Sequence, residues 1–271
     1  MIDNRPAQSF ILYYALANVT ILRKDKTKGI NMQRSDSFVV GALLSFSGGL
    51  QDSYTFNIRD RVFANAQTGN VVLMSQNFMM GNWSDGLGHL FAIIAFVTGV
   101  FLSDYIEGKF KSNNKIHWRQ IVLIIEFLIL FVVGFIPLGC NIVANASVSF
   151  ACAMQVHSFR RLRTNSYAST MCIGNLKNGT SYMARYIRNR SIKDLIFSVQ
   201  YYSIIVIFAV GAGIGGLLSI HCGIRTIWVS CVVIIVVTLI LNKEKTFGFS
   251  YLRKFPKLYK MLKNRDIKGT K

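Results

Sequence analysis

The chain has 271 residues, of which 52% are hydrophobic and only 16% charged, and its mean hydropathy is positive. A soluble domain carries about a quarter charged residues, so the composition argues against an ordinary soluble protein and for a membrane one. The formal net charge of +19 does not indicate nucleic acid, because the basic residues lie between and beyond the apolar runs and no recognition module accompanies them.

Residues 1–37 open with an apolar run, Ser9 to Leu22, that is too short to span a bilayer. It follows Asp3 and Arg5 rather than a basic region, and no small-residue cleavage site follows it, which argues against a signal peptide. It reads either as an interfacial helix or, with Met32 as the true start, as a translation artefact of residues 1–31. From Phe38 the apolar runs come regularly, at about 38–58, 62–80, 87–104, 119–138, 143–159, 165–184, 197–220 and 224–241. The tail from Asn242 is basic with interleaved aromatics, and reads either as lying on an anionic leaflet or as a solvated tail.

Eight full crossings conflict with the charges. Lys109, Lys111, Lys115 and Arg119 mark one loop as cytoplasmic, and Arg185, Arg188, Arg190 and Lys193 mark another. The conflict disappears if the polar runs 62–80 and 165–184 are re-entrant or continue broken helices, so that 38–81 and 141–185 each make one net crossing. The expectation is an all-α integral membrane protein of six net crossings. It divides into a first repeat at 38–138, an inverted second repeat at 139–241 and a cytoplasmic tail at 242–271, with both termini inside. Inverted repeats with broken helices are the plan of many secondary transporters.

Asp52 stands at membrane depth, where a carboxylate costs about 2.5–3.5 kcal/mol on insertion scales and is by default a functional-site candidate. It can carry a proton, pair with a cation or accept hydrogen bonds from the second polar run; the structural alternative is that it caps a helix break or pairs with Arg59 or Arg61. The cluster Asn65-Ala66-Gln67-Thr68-Gly69-Asn70 offers amides and a hydroxyl, with Asn65 and Thr68 on one face if helical. A degenerate copy follows: Gln155-Val156-His157-Ser158-Phe159 echoes Asp52-Ser53-Tyr54-Thr55-Phe56, and Gly174-Asn175 echoes Gly69-Asn70. The candidate solute or ion ligands are therefore Asp52, Asn65, Gln67, Thr68, Asn70, Gln155 and Asn175. Glu126, buried in an apolar run, joins them or pairs with Arg119. The alternative for the whole set is polar glue between helices.

No catalytic motif is present. Gly211-Ala212-Gly213-Ile214-Gly215-Gly216 lies within an apolar run and not after a strand, so it reads as helix packing and not as a nucleotide loop. Five scattered cysteines imply neither a disulfide framework nor a metal site. The sequence calls for no cofactor.

Gly48, Gly49, Asp52 and Tyr54, then Phe63 to Asn70, then Met154-Gln155 with Gly174-Asn175-Leu176, resemble the YoaK family of bacterial membrane proteins, also called DUF1275 or UPF0700, across about residues 38–241. Ser53 stands where Ala is usual, and Ile173 replaces the Thr expected before the second Gly. The resemblance implies a multi-pass protein of the bacterial cytoplasmic (inner) membrane and assigns no activity. The residues themselves point to a transporter or channel for a small polar or ionic solute, with a non-transporting scaffold or sensor as the alternative. The expected partners are the bilayer, anionic headgroups at the basic loops and tail, and the solute.

Overall fold

The computed structural model describes residues 36–111, 117–162, 165–167 and 169–242. The readings made for residues 1–31, and for the basic tail beyond 242, lie outside the described residues. Eight α-helices follow in order among the described residues: α1 (Phe38–Ile58), α2 (Gln67–Met79), α3 (Trp83–Phe110), α4 (Trp118–Val133), α5 (Asn141–Ser158), α6 (Cys172–Asn189), α7 (Ile192–Cys222) and α8 (Trp228–Asn242). Short 3-10 turns precede α5 and α8, and Arg161–Leu162 pairs antiparallel with Asn165–Ser166. Trp83–Phe110 and the stretch Ile192–Leu241 are long and apolar enough to cross a membrane.

Ser37 caps α1, its hydroxyl accepting from the Val40 amide at 3.3 Å. The helix ends where the chain reverses. Asp60 and Arg61 are both left-handed, with φ of 60° and 58°, a conformation that costs about 1–2 kcal/mol per non-glycine residue. Arg59 offsets that cost. Its side chain is fully buried and every guanidinium donor is used: Nε donates to the Tyr54 hydroxyl at 3.0 Å, Nη1 to the Pro137 carbonyl and Asn141 Oδ1, and Nη2 to the carbonyls of Val133 and Ile136. Its own carbonyl accepts from Asn145 Nδ2 at 2.6 Å. Arg59 thus neutralises the carbonyl end of α4 and does not pair with Asp52.

Two helices depart from the apolar runs. α4 stops at Val133, short of 138, because Gly134 and Pro137 cannot sustain it and Arg59 takes the last carbonyls. The run 62–80 becomes helical only at Gln67, since residues 59–66 fold back along α1.

α1 packs most extensively along α7, and α3 along α5; α2 lies on α3, α6 on α7, α4 on α5, and α8 on α1 and α4. Glycines set the α1–α7 seam. A Cβ on Gly49 would strike the Phe208 carbonyl, and one on Gly211 the Phe46 carbonyl, so the backbones touch as small-residue stripes allow. The buried cluster of Val40, Leu44, Leu123, Leu130, Val148 and Ile234 joins α1, α4, α5 and α8. Facing outward are Phe101, Val97, Leu217, Ile220 and Val232, each more than half exposed, a larger apolar surface than a soluble monomer shows.

Candidate functional site

A cavity of about 780 Å³ opens where the returning segment before α2 meets α1, α3, α7 and the start of α6. Asp52 forms one wall. Residue 65 returns to the depth of residues 48–52, and its amide donates to Asp52 Oδ1 at 2.7 Å. The amides of Ala64 and Ala66 face the same carboxyl. Asp52 therefore gathers the last turn before α2, acting from a neighbouring helix where a cap is otherwise missing, since Ala66 provides none.

Asn65 donates through Nδ2 to the Gly48 carbonyl at 3.2 Å, which fixes which end of its amide is oxygen. Its Oδ1 has no partner, although the residue is only 8% exposed. Gln67 bridges the halves of the molecule, donating to the Ala64 carbonyl and to Ser149 of α5, both at 2.9 Å. Thr68 is exposed and lines the cavity, and Thr170 closes it against Gly48. Asn65 precedes α2, so it shares no helical face with Thr68.

The start of α6, Met171 to Gly174, lines the opposite side without a side-chain cap or an acidic residue in its first turn. The N-termini of α2 and α6 thus meet across one cavity. Its apolar walls are Phe56, Phe63, Phe96 and Phe208, with Phe56 and Phe63 stacked at 4.8 Å between ring centres. Among the described residues that line it none is basic.

Of the residues singled out in the sequence, the fold brings Asp52, Asn65, Gln67 and Thr68 to this cavity. The other four do not line it. Asn70 is fully buried and brackets the return, accepting from the Phe63 amide at 3.0 Å and donating to the Phe63 carbonyl at 2.7 Å. Gln155 donates to the Leu44 carbonyl and to Ser169, leaving its Oε1 without a partner. Asn175 is buried in the first turn of α6 and has interactions of its own.

Glu126 is fully buried, and neither carboxyl oxygen makes a hydrogen bond. It faces Gln51, which is occupied by Ser47 and by the Cys152 thiol. Arg119, the partner considered for it, instead donates to the Ser158 carbonyl and pairs with Asp36 at 3.2 Å.

Sequence reasoning passed over three features. Arg59 was weighed only against Asp52. His89 was not singled out, and it is buried with Nδ1 3.3 Å from Asn70 Oδ1. Tyr167 pins the second return to α1, its hydroxyl donating to the Gly41 carbonyl and meeting the Ser45 hydroxyl, both at 2.6 Å. The one available signal was a tyrosine inside an otherwise polar loop.

A family model described as a protein of unknown function (DUF1275) matches residues 40–240. The comparisons with curated proteins and with solved structures gave no match.

Proposed function

The chain belongs to the DUF1275 family, and we propose that it is a multi-pass membrane carrier or channel, without catalytic activity, that moves a small polar or ionic solute through the cavity at Asp52. One observation carries the reading. Two helix N-termini, a buried carboxyl and several amide and hydroxyl groups meet in a cavity flanked by helices apolar enough to span a bilayer. Irregular backbone at membrane depth is tolerated only when it is buried in protein or lines a wet cavity, and Phe63 to Ala66 and Thr170 to Met171 are irregular where they line this one.

The helix pairing supports an inverted repeat. Exchanging α1–α4 with α5–α8 carries the α1–α7 contact onto α5–α3, α2–α3 onto α6–α7, and α4–α5 onto α8–α1. Each half then crosses three times, with a broken helix and its return counted once, and the chain crosses six times. Lys109 and Lys111 at the end of α3, and Arg188, Arg190 and Lys193 around the α6–α7 junction, lie on the cytoplasmic side against anionic headgroups of the inner membrane. Both termini lie on that side too.

Cys172 supplies the test, because it lines the cavity and is half-buried. In a variant that keeps this cysteine alone, a membrane-impermeant thiol reagent is expected to label it in vesicles. A cysteine placed at fully buried Leu123 is expected to stay unlabelled. Failure to label Cys172 from either side marks a dry packing core and moves the reading to a non-transporting scaffold or sensor.

A further inference from the structure

We infer that the ligand of this cavity is a protonated amine with a small apolar body, held by Asp52 and walled by phenylalanines; the inference rests on reading the cavity as a solute site. The chemistry of the lining carries it. Asp52 is the one acidic group among the described lining residues, and no Lys, Arg or His is there to answer it. An ammonium group brings up to three N–H donors to the Asp52 carboxyl and to the polar groups beside it, Ser53, Asn57 and Thr68, which line the same cavity.

The walls fit the rest of such a molecule. Phe56, Phe63, Phe96 and Phe208 come from four different segments of the chain, and aromatic faces attract a cation through their quadrupole while packing against its apolar body. About 780 Å³ falls within the roughly 300–1,000 Å³ of small-molecule sites, and leaves room for more than an ammonium head.

The two helix ends press the other way, since each carries about half a positive charge. Asp52 already answers the α2 end through the Asn65 amide. An anion at the α6 end would share the cavity with that carboxylate without a basic side chain among the described lining residues to offset the pair.

The experiment uses the full chain in detergent and three probes of one shape: phenethylamine, phenethyl alcohol and 3-phenylpropionate. Binding is measured at equilibrium and by the rise in thermal midpoint that a ligand of the native state produces. Wild type is expected to bind the amine about tenfold more tightly than the alcohol or the acid. Asp52→Asn should remove that preference, while Asp52→Glu keeps it. Phe96→Leu should weaken amine and alcohol together.

Tightest binding of phenylpropionate overturns the inference in favour of an anion site at the helix ends. Equal binding of amine and alcohol overturns the role of Asp52. No binding of any probe overturns the ligand class, and labelling of Cys172 then shows whether the solute pathway survives it. Should Asp52→Asn fail to fold, the order of the three probes on wild type still decides.

Discussion

The two returning segments both reach the same cavity and are built from different chemistry. The first, residues 59–66, is sealed by buried polar groups: Arg59 on the α4 carbonyls, Asp52 on the Asn65 amide and Asn70 on both backbone groups of Phe63. The second, leading to α6, has neutral buried contacts, Gln155 on Ser169 and Tyr167 on Gly41, and carries its charge in a half-exposed pair, Arg160 with Glu107. A cavity lined by both returns therefore has its carboxyl on one side only. Matching positions do not make matching roles, and the site's charge is decided by the first half.

The largest expected effect breaks the sealed side. Arg59→Met leaves the carbonyls of Val133, Ile136 and Pro137 without their donor, and removing one member of such a buried charged network costs about 3–5 kcal/mol. Arg59→Lys should fall almost as far, because a single ammonium cannot fork to the same acceptors. Unfolding in mixed detergent micelles measures both; a loss confined to the methionine variant would mean that charge alone, and not the fork, holds the turn.

Moving the carboxyl tests whether the halves are interchangeable. Gln155→Glu removes the donor that serves the Leu44 carbonyl and buries a charge beside it, at a cost of roughly 3 kcal/mol. The exchange Asp52→Asn with Gln155→Glu is expected to lower stability and to leave amine binding lost. Restored binding in that double variant would make the two positions equivalent and end the comparison. Asn70→Ala, which opens the bracket on Phe63, should cost about 2 kcal/mol in the same unfolding measurement, with the helical content of the folded fraction unchanged.

The irregular stretch before α2 was legible because amides, a hydroxyl and a glycine interrupt an apolar period. Arg59 was not, because its partners are backbone carbonyls more than seventy residues away, and a carbonyl carries no mark in sequence. Gln51 and Asp52 show a second limit. Neighbours on a helix diverge by about 100°, so Asp52 faces the cavity while Gln51 meets Cys152 and the side of Glu126. The buried acid at 126 was readable, but its partnerless state was not. The wall of the cavity was equally hidden: among twenty phenylalanines, four that face a cavity look the same in sequence as those that face outward.

The smallest expected effect lies at the end of α5. Arg160 pairs with Glu107 of α3 at 2.9 Å, but its side chain is half exposed, and Glu107 also holds Lys111 at 2.8 Å. Arg160→Ala therefore leaves Glu107 with another cation and removes a charge that water already solvates. The cost should stay within about 1 kcal/mol, and the difference from wild type should shrink between low and high salt, as screening of an exposed pair requires. Arg59→Met should show no such salt dependence, because its partners are buried carbonyls and not an opposite charge at the surface. If Arg160→Ala proved as damaging as Arg59→Met, and insensitive to salt, the second return would be sealed as firmly as the first. The contrast between a return sealed by buried charge and one whose charge is half exposed would then fail.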